Sequence, residues 1–159
     1  MEVVSFTRVS LPFGWLGNMS AYPIEFNGKT WRTSEALFQA LRFKDEEIQE
    51  LIRAEKSPMS AKAVMNENQE HIKVKKHGPK DVMNMKMCLM LKLNQHQELI
   101  KELIDTGDAM IVEDVTKRGN IGGNLFWGAM LVDGEWVGEN KLGQLWMDLR
   151  EVYKQKNTL

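Results

Sequence analysis

Apolar positions along the chain change period several times, and each change marks an element. Residues 3–9 are β-branched and apolar enough for a strand, which Pro12 and Gly14 end. Two pairs of short apolar runs follow the hairpin pattern: residues 24–26 and 30–31 around Asn27-Gly28, and residues 129–132 and 136–137 around Asp133-Gly134. Asn-Gly and Asp-Gly pairs both tolerate the positive φ that a two-residue turn requires. Elsewhere the spacing is helical. A helix over 35–44, capped at Thr33-Ser34, turns Ala36, Leu37, Ala40 and Leu41 inward. A charged amphipathic helix over 45–56 is built around Ile48, Leu51, Ile52 and Ala54, and Ser57-Pro58 breaks it and starts another through Ala61, Val64 and Met65. Residues 82–93 form a methionine-dense helix (Met83, Met85, Met87 and Met90), read as plastic core filling. Residues 97–104 carry Leu99, Ile100, Leu103 and Ile104, and Thr106-Gly107 ends them. A last helix over 141–156 repeats Leu142, Leu145, Trp146, Leu149, Val152 and Tyr153, with Asn140 as its expected N-cap. The sum is one α+β domain over residues 1–159, predominantly helical, with a small antiparallel sheet made by the N-terminal strands and the two hairpins.

Composition narrows the class without naming an activity. With 159 residues, 43% hydrophobic and 27% charged, the chain is sized for one globular domain with its own core. A net charge of −1 supplies no global attraction to nucleic acid or membrane. One cysteine, Cys88, precludes an internal disulfide and suits a reducing compartment. No apolar run is long enough to span a bilayer, and the N-terminus lacks the layout of a secretion signal, so the expected location is cytoplasmic.

Candidate chemistry collects in a few places. Glu35, Gln39 and Arg42 fall at i, i+4 and i+7, on one helix face beside Phe38. That face is either solvated, or a carboxylate held near an amide and a guanidinium, a set suited to a ribose or to proton transfer. Glu113, on the run leading into a loop rich in glycine (Gly119, Gly122, Gly123), is a second carboxylate expected to share a cleft with Glu35. Two such groups suit hydrolysis at an anomeric carbon. Trp127 before Gly128 offers a ring face for a base or sugar, or else is core. Trp15 and Asn18, in a loop of aromatics and glycines, either clamp a flat ligand or plug the core. Asn140, Lys141 and Gly143 open the last helix, where free N–H groups suit a phosphate, or form an ordinary cap. The basic run over 73–80 is a solvated stretch or a phosphate-attracting patch, and His71, His77 and His96 show no metal-ligand spacing.

Taken together, Ser34-Glu35-Ala36-Leu37-Phe38-Gln39-Ala40, Ser57-Pro58 with Ala61-Lys62, Leu103 to Gly107, Trp127-Gly128 and Gly138-x-Asn140-x-Leu142-Gly143 resemble the NADAR (YbiA-like) N-glycosidase family. Leu145, Met147 and Arg150 extend the last block, and Trp15-Leu16-Gly17-Asn18 is similar to the family's early aromatic loop. The resemblance runs over nearly the whole chain and in the family's order. It implies a compact, helix-rich α+β fold, no metal, no organic cofactor, and hydrolysis of an N-glycosidic bond at a ribose bearing phosphate or ADP. The implied partners are a phosphorylated ribose or ADP-ribose conjugate, such as a riboflavin-synthesis intermediate or ADP-ribosylated nucleic acid, with no membrane. By the same resemblance Glu35 and Asn124 take catalytic positions, to which the paired-carboxylate reading adds Glu113. Trp15, Asn18, Gln39, Arg42, Trp127, Gly128, Asn140 and Gly143 are the residues expected to bind substrate. Three positions differ from the family's pattern. Arg42 stands where lysine is usual, Asn124 where aspartate is usual, and a usual tryptophan is replaced near His77. The alternative reading is a module of this fold that binds ADP-ribose-type nucleotides without turnover.

Overall fold

The computed structural model describes residues 2–119 and 123–157. They form an α+β structure of seven helices and six short strands in three two-stranded ribbons. The Cα framework separates into two compact units: Asn18–Gln95, and the segments up to Gly17 and from His96 onward.

The Asn18–Gln95 unit holds β2 (Ile24–Phe26), β3 (Lys29–Trp31), α1 (Ser34–Ala40), α2 (Glu46–Ala54), α3 (Pro58–Glu67) and α4 (Pro79–Gln95). β2 and β3 pair antiparallel through the Asn27-Gly28 turn, with φ of 51° and 77°. Helix starts follow the local chemistry. Thr33 accepts a hydrogen bond from the Ala36 N–H, Asp45 from Glu47 and Ile48, and Ser57 from Ser60 with Pro58 in the first turn. α1 is shorter than its apolar pattern suggests, ending at Ala40, and packs against α2, α3 and α4 with all seven residues buried. α4 begins three residues earlier than expected, at the proline that can open a helix. Its methionines divide: Met85 is buried, whereas Met83 and Met90 face solvent, so the helix fills the core with Cys88, Leu89 and Leu93 as much as with methionine. The Trp31 indole N–H is buried and meets no acceptor among the described residues.

The other unit holds β1 (Val3–Phe6), a 3₁₀ turn at Gly14–Leu16, α5 (Glu98–Asp105), β4 (Met110–Glu113), α6 (Asn124–Trp127), β5 (Met130–Val132), β6 (Glu135–Val137) and α7 (Lys141–Asn157). The expected antiparallel sheet is corrected here. β1 runs parallel to β4, Val3 opposite Met110 through Phe6 opposite Glu113. Only the two hairpins are antiparallel, and no described strand joins one ribbon to another. α7 packs on β4 and α5. Trp146, fully buried, donates its indole N–H to the Leu16 carbonyl at 3.0 Å. Arg150 donates to the Ala109 carbonyl at 2.7 Å and the Thr106 hydroxyl at 3.0 Å, tying α7 to the end of α5. Among the described residues no helix is long and apolar enough to cross a membrane.

Candidate active site

Within the Asn18–Gln95 unit the helix-face triplet assembles, and it is not solvated. Glu35, Gln39 and Arg42 are 8%, 3% and 4% exposed, which removes the surface reading of their shared face. Gln39 Nε2 donates to Glu35 Oε1 at 2.8 Å, and Arg42 Nη1 donates to Gln39 Oε1 at 3.1 Å. Glu35 Oε2 receives no hydrogen bond from any described residue. The guanidinium continues the chain, giving Nε and Nη2 to the two oxygens of Asp81 at 3.0 and 2.8 Å. Asp81, with 0% exposure, also accepts from the His77 backbone N–H at 2.9 Å. The Phe38 ring lies 4.6 Å from the Arg42 guanidinium carbon. Three of the five N–H groups of Arg42 thus serve buried protein acceptors, one on Gln39 and two on Asp81.

Asn18 starts α1 rather than lining an open surface. Its carbonyl accepts the Glu35 N–H at 3.1 Å, its Oδ1 accepts the Ser34 hydroxyl at 2.9 Å, and its Nδ2 lies 3.1 Å from the Met85 sulfur. The inner face of α4 supplies the other side. Asp81, Met85, Cys88 and Lys92 stand at i, i+4, i+7 and i+11. Burial, and secondarily the Glu35 carboxylate, push the Cys88 thiol well above its ordinary range. Lys92 is wholly buried, donates to the Ser20 hydroxyl at 2.8 Å and lies 5.1 Å from the Tyr22 ring centre. Burial pulls its ammonium down to about 7. The basic run joins this unit through its backbone, since Lys73 and Val74 both donate to the Arg42 carbonyl.

Glu113, Asn124, Trp127, Gly128, Asn140 and Gly143 belong to the other unit. Glu113 ends β4, and its Oε2 lies 3.5 Å from Arg118 Nη2. The Asn140 side chain bonds β4 rather than the first-turn N–H groups of α7, so the expected side-chain cap is not made. Asn140 sits at φ +52°, its Nδ2 donating to the Ile111 carbonyl at 2.9 Å and its Oδ1 accepting the Glu113 N–H at 3.1 Å. Gly143 makes that possible. A Cβ there would lie 2.1 Å from the Ile111 oxygen and 2.5 Å from Asn140 Nδ2. Gly128 likewise leaves room for β4, since a Cβ would lie 2.6 Å from the Glu113 oxygen. So Gly128, Asn140 and Gly143 dock α7 and the α6 turn onto β4, a framework role that these residues carry in this unit.

Trp127 is half-buried, its ring edge-on to Phe126 at 4.9 Å, so it is not one of the core tryptophans. Asn124 opens α6 and donates to the Gly119 carbonyl at 3.2 Å. The centre of the glycine loop, residues 120–122, lies outside the described residues. Trp15 is 8% exposed and lies edge-on to Trp146 at 5.7 Å, as the core-plugging reading has it. It also edges a cavity of about 350 Å³ with Phe13, Glu2, Glu102 and Asp105. A smaller one of about 240 Å³ is lined by Thr7, Asp114, Thr116, Lys117 and Leu131. Among the described residues no cluster of His, Cys, Asp and Glu is placed to hold a metal ion.

Two functional-looking residues escaped the sequence. Asp81 lies 39 positions from Arg42, with no local pattern linking them. Lys92 did leave a trace, as a charge inside the apolar stripe of Met85, Leu89 and Leu93.

The NADAR domain family model matches residues 5–154. N-glycosidase YbiA of Escherichia coli K12 is 35% identical over 149 residues, covering 94% of this chain and 87% of that protein. An N-glycosidase of Nostoc punctiforme is 28% identical over 151 residues, 93% of this chain and 90% of the other. A riboflavin biosynthesis protein of Vibrio vulnificus is 29% identical over 141 residues, which span 87% of this chain and 35% of that protein. The NMR structure of E. coli YbiA superposes with a TM-score of 0.79 at 33% identity, over 99% of this chain and 88% of that one. With a matching family model over almost its full length and a relative above 30% identity, the chain belongs to the NADAR domain family.

Proposed function

We propose that this chain is an N-glycosidase acting on a ribose that carries a phosphate or ADP. The observation that carries the reading is the Glu35 carboxylate: buried, one oxygen held by Gln39, the other bonded to no described residue. Family membership and the names of its relatives give the reaction class. In that reaction the C1′–N bond breaks, its electron pair leaves with the base, and positive charge develops on the ribose ring. A fixed carboxylate stabilises that charge, then takes a proton from the water whose oxygen bonds C1′. The base nitrogen takes up a proton as it departs. The Vibrio relative is named for riboflavin biosynthesis. That is in keeping with phosphoribosylamino compounds of that route as one of the two substrate classes that the family resemblance implies, ADP-ribosylated guanine being the other.

A second reading, binding without turnover, is favoured by Asn124 and Arg42. An amide replaces the expected carboxylate at one, and a permanently protonated guanidinium, already paired with Asp81, replaces the expected amine at the other. Incubation with a phosphoribosylaminopyrimidine and with ADP-ribosylated guanosine, read by mass spectrometry beside a direct binding measurement, separates the two. Free base and ribose phosphate or ADP-ribose support hydrolysis. Saturable binding with intact ligand supports the second reading, and neither binding nor cleavage removes both.

A further inference from the structure

We propose that Asp81 is a positioning residue for Glu35, acting through Arg42 and Gln39; the inference rests on the acid–base reading of Glu35. A glutamine amide fits its surroundings in two orientations that exchange oxygen for nitrogen. At Gln39 the choice matters, because only the nitrogen can donate to the Glu35 carboxylate. Oxygen facing Glu35 would set two acceptors against each other. Arg42 removes the ambiguity. A guanidinium only donates, so Gln39 presents Oε1 to Nη1 at 3.1 Å, and Nε2 is left for Glu35 at 2.8 Å.

That selection works only while the guanidinium plane is fixed. Asp81 fixes it by accepting Nε and Nη2 on separate oxygens, the forked pairing that defines both the distance and the plane of an arginine. Phe38 lies against the guanidinium, and the His77 N–H holds Asp81 Oδ2 from the far side. A buried ion pair of this kind contributes little net stability beside an apolar pair of the same size. Its direction-setting effect on Gln39 is what an apolar pair would lack. The chain thus runs from a buried carboxylate on α4 to the carboxylate on α1, each link specifying the polarity of the next.

The decisive comparison is the double substitution Arg42→Met with Asp81→Leu, which removes both charges at similar volume and leaves no buried charge unpaired; circular dichroism on the same preparation establishes that it is folded. Asp81→Asn is the single-site companion. The Gln39 side-chain amide is followed by ¹⁵N-edited NMR, and kcat and KM are followed on whichever N-glycoside the natural chain cleaves. The expected result is that the two Gln39 amide protons, distinct in the natural chain, converge in the variants. kcat should fall roughly ten- to a hundredfold with KM within about twofold. A purely structural pair would lower Tm in Asp81→Asn while leaving the Gln39 signals and kcat of the folded double variant unchanged, and that result overturns the proposal. If the natural chain cleaves no N-glycoside, the acid–base reading fails by itself. The Gln39 signals then still decide whether Asp81 orients the amide.

Discussion

Asn140 and Gly143 are locked together: the Asn140 amide lies where a side chain at 143 would have to go, 2.5 Å from the Cβ that Gly143 lacks. Because that Cβ would also lie 2.1 Å from the Ile111 carbonyl, neither a rotamer change nor a small shift of one flexible group relieves the clash. Gly143→Ala should destabilise the protein by about 3 kcal/mol, through overpacking rather than helix propensity. Urea unfolding at neutral pH checks it. Stabilisation, as for an exposed helical glycine, would mean α7 does not rest on β4 in this way.

Asn140 itself separates two effects. Asn140→Ala removes both hydrogen bonds to β4 and leaves at φ +52° a residue without asparagine's tolerance of the left-handed region. Asn140→Gly removes the bonds but not the conformational freedom. The alanine variant should be the less stable by about 1 kcal/mol. A conventional cap would give a small difference of the same sign, so the discriminating readout is hydrogen exchange at the Glu113 amide. It should accelerate in both variants, because its acceptor is gone.

For Lys92 the pH dependence has a defined sign. Burial holds the folded-state ammonium down to about 7, whereas in the unfolded chain it titrates near 10.5. Between those values the unfolded state binds the extra proton, so this group's contribution to stability rises with pH across that window and is flat below it. The difference in urea stability between the natural chain and Lys92→Met should therefore climb from about pH 7 towards pH 10. A difference independent of pH would show that the amine stays charged in place.

Glu35→Gln keeps shape and keeps an acceptor for Gln39 while removing the charge. Stability should change little, and hydrolysis of the N-glycoside should slow by about a hundredfold or more. Circular dichroism and a discontinuous assay on the same preparation check both halves. A folded variant with an undiminished rate would remove Glu35 from the chemistry.

Local chemistry was readable from residues; partnerships were not. The two hairpins, the Ser57-Pro58 helix start and the Thr106-Gly107 end rest on residues adjacent in sequence, and the structure has them where the sequence indicates. The parallel pairing of β1 with β4 joins positions 107 apart, and a four-residue strand carries no mark of its partner. Helical spacing put Glu35, Gln39 and Arg42 on one face but could not say what covers that face, which is how a buried network resembled a solvated one. For Asn140 the residue type misled. Asparagine caps helices well, yet it also tolerates the left-handed region, and here that second property sends its amide to a strand.

Cys88 gives the molecule a built-in reporter. It is the chain's one cysteine, wholly buried on α4, and its thiol resists ionisation in the folded state. An alkylating reagent reaches it only when that packing opens, so its modification rate times the opening of the segment that carries Glu35's surroundings. A cysteine introduced at exposed Met59 or Met83 would react at once while Cys88 stayed silent, making the protein ready for single-site fluorescent labelling without first removing a native thiol.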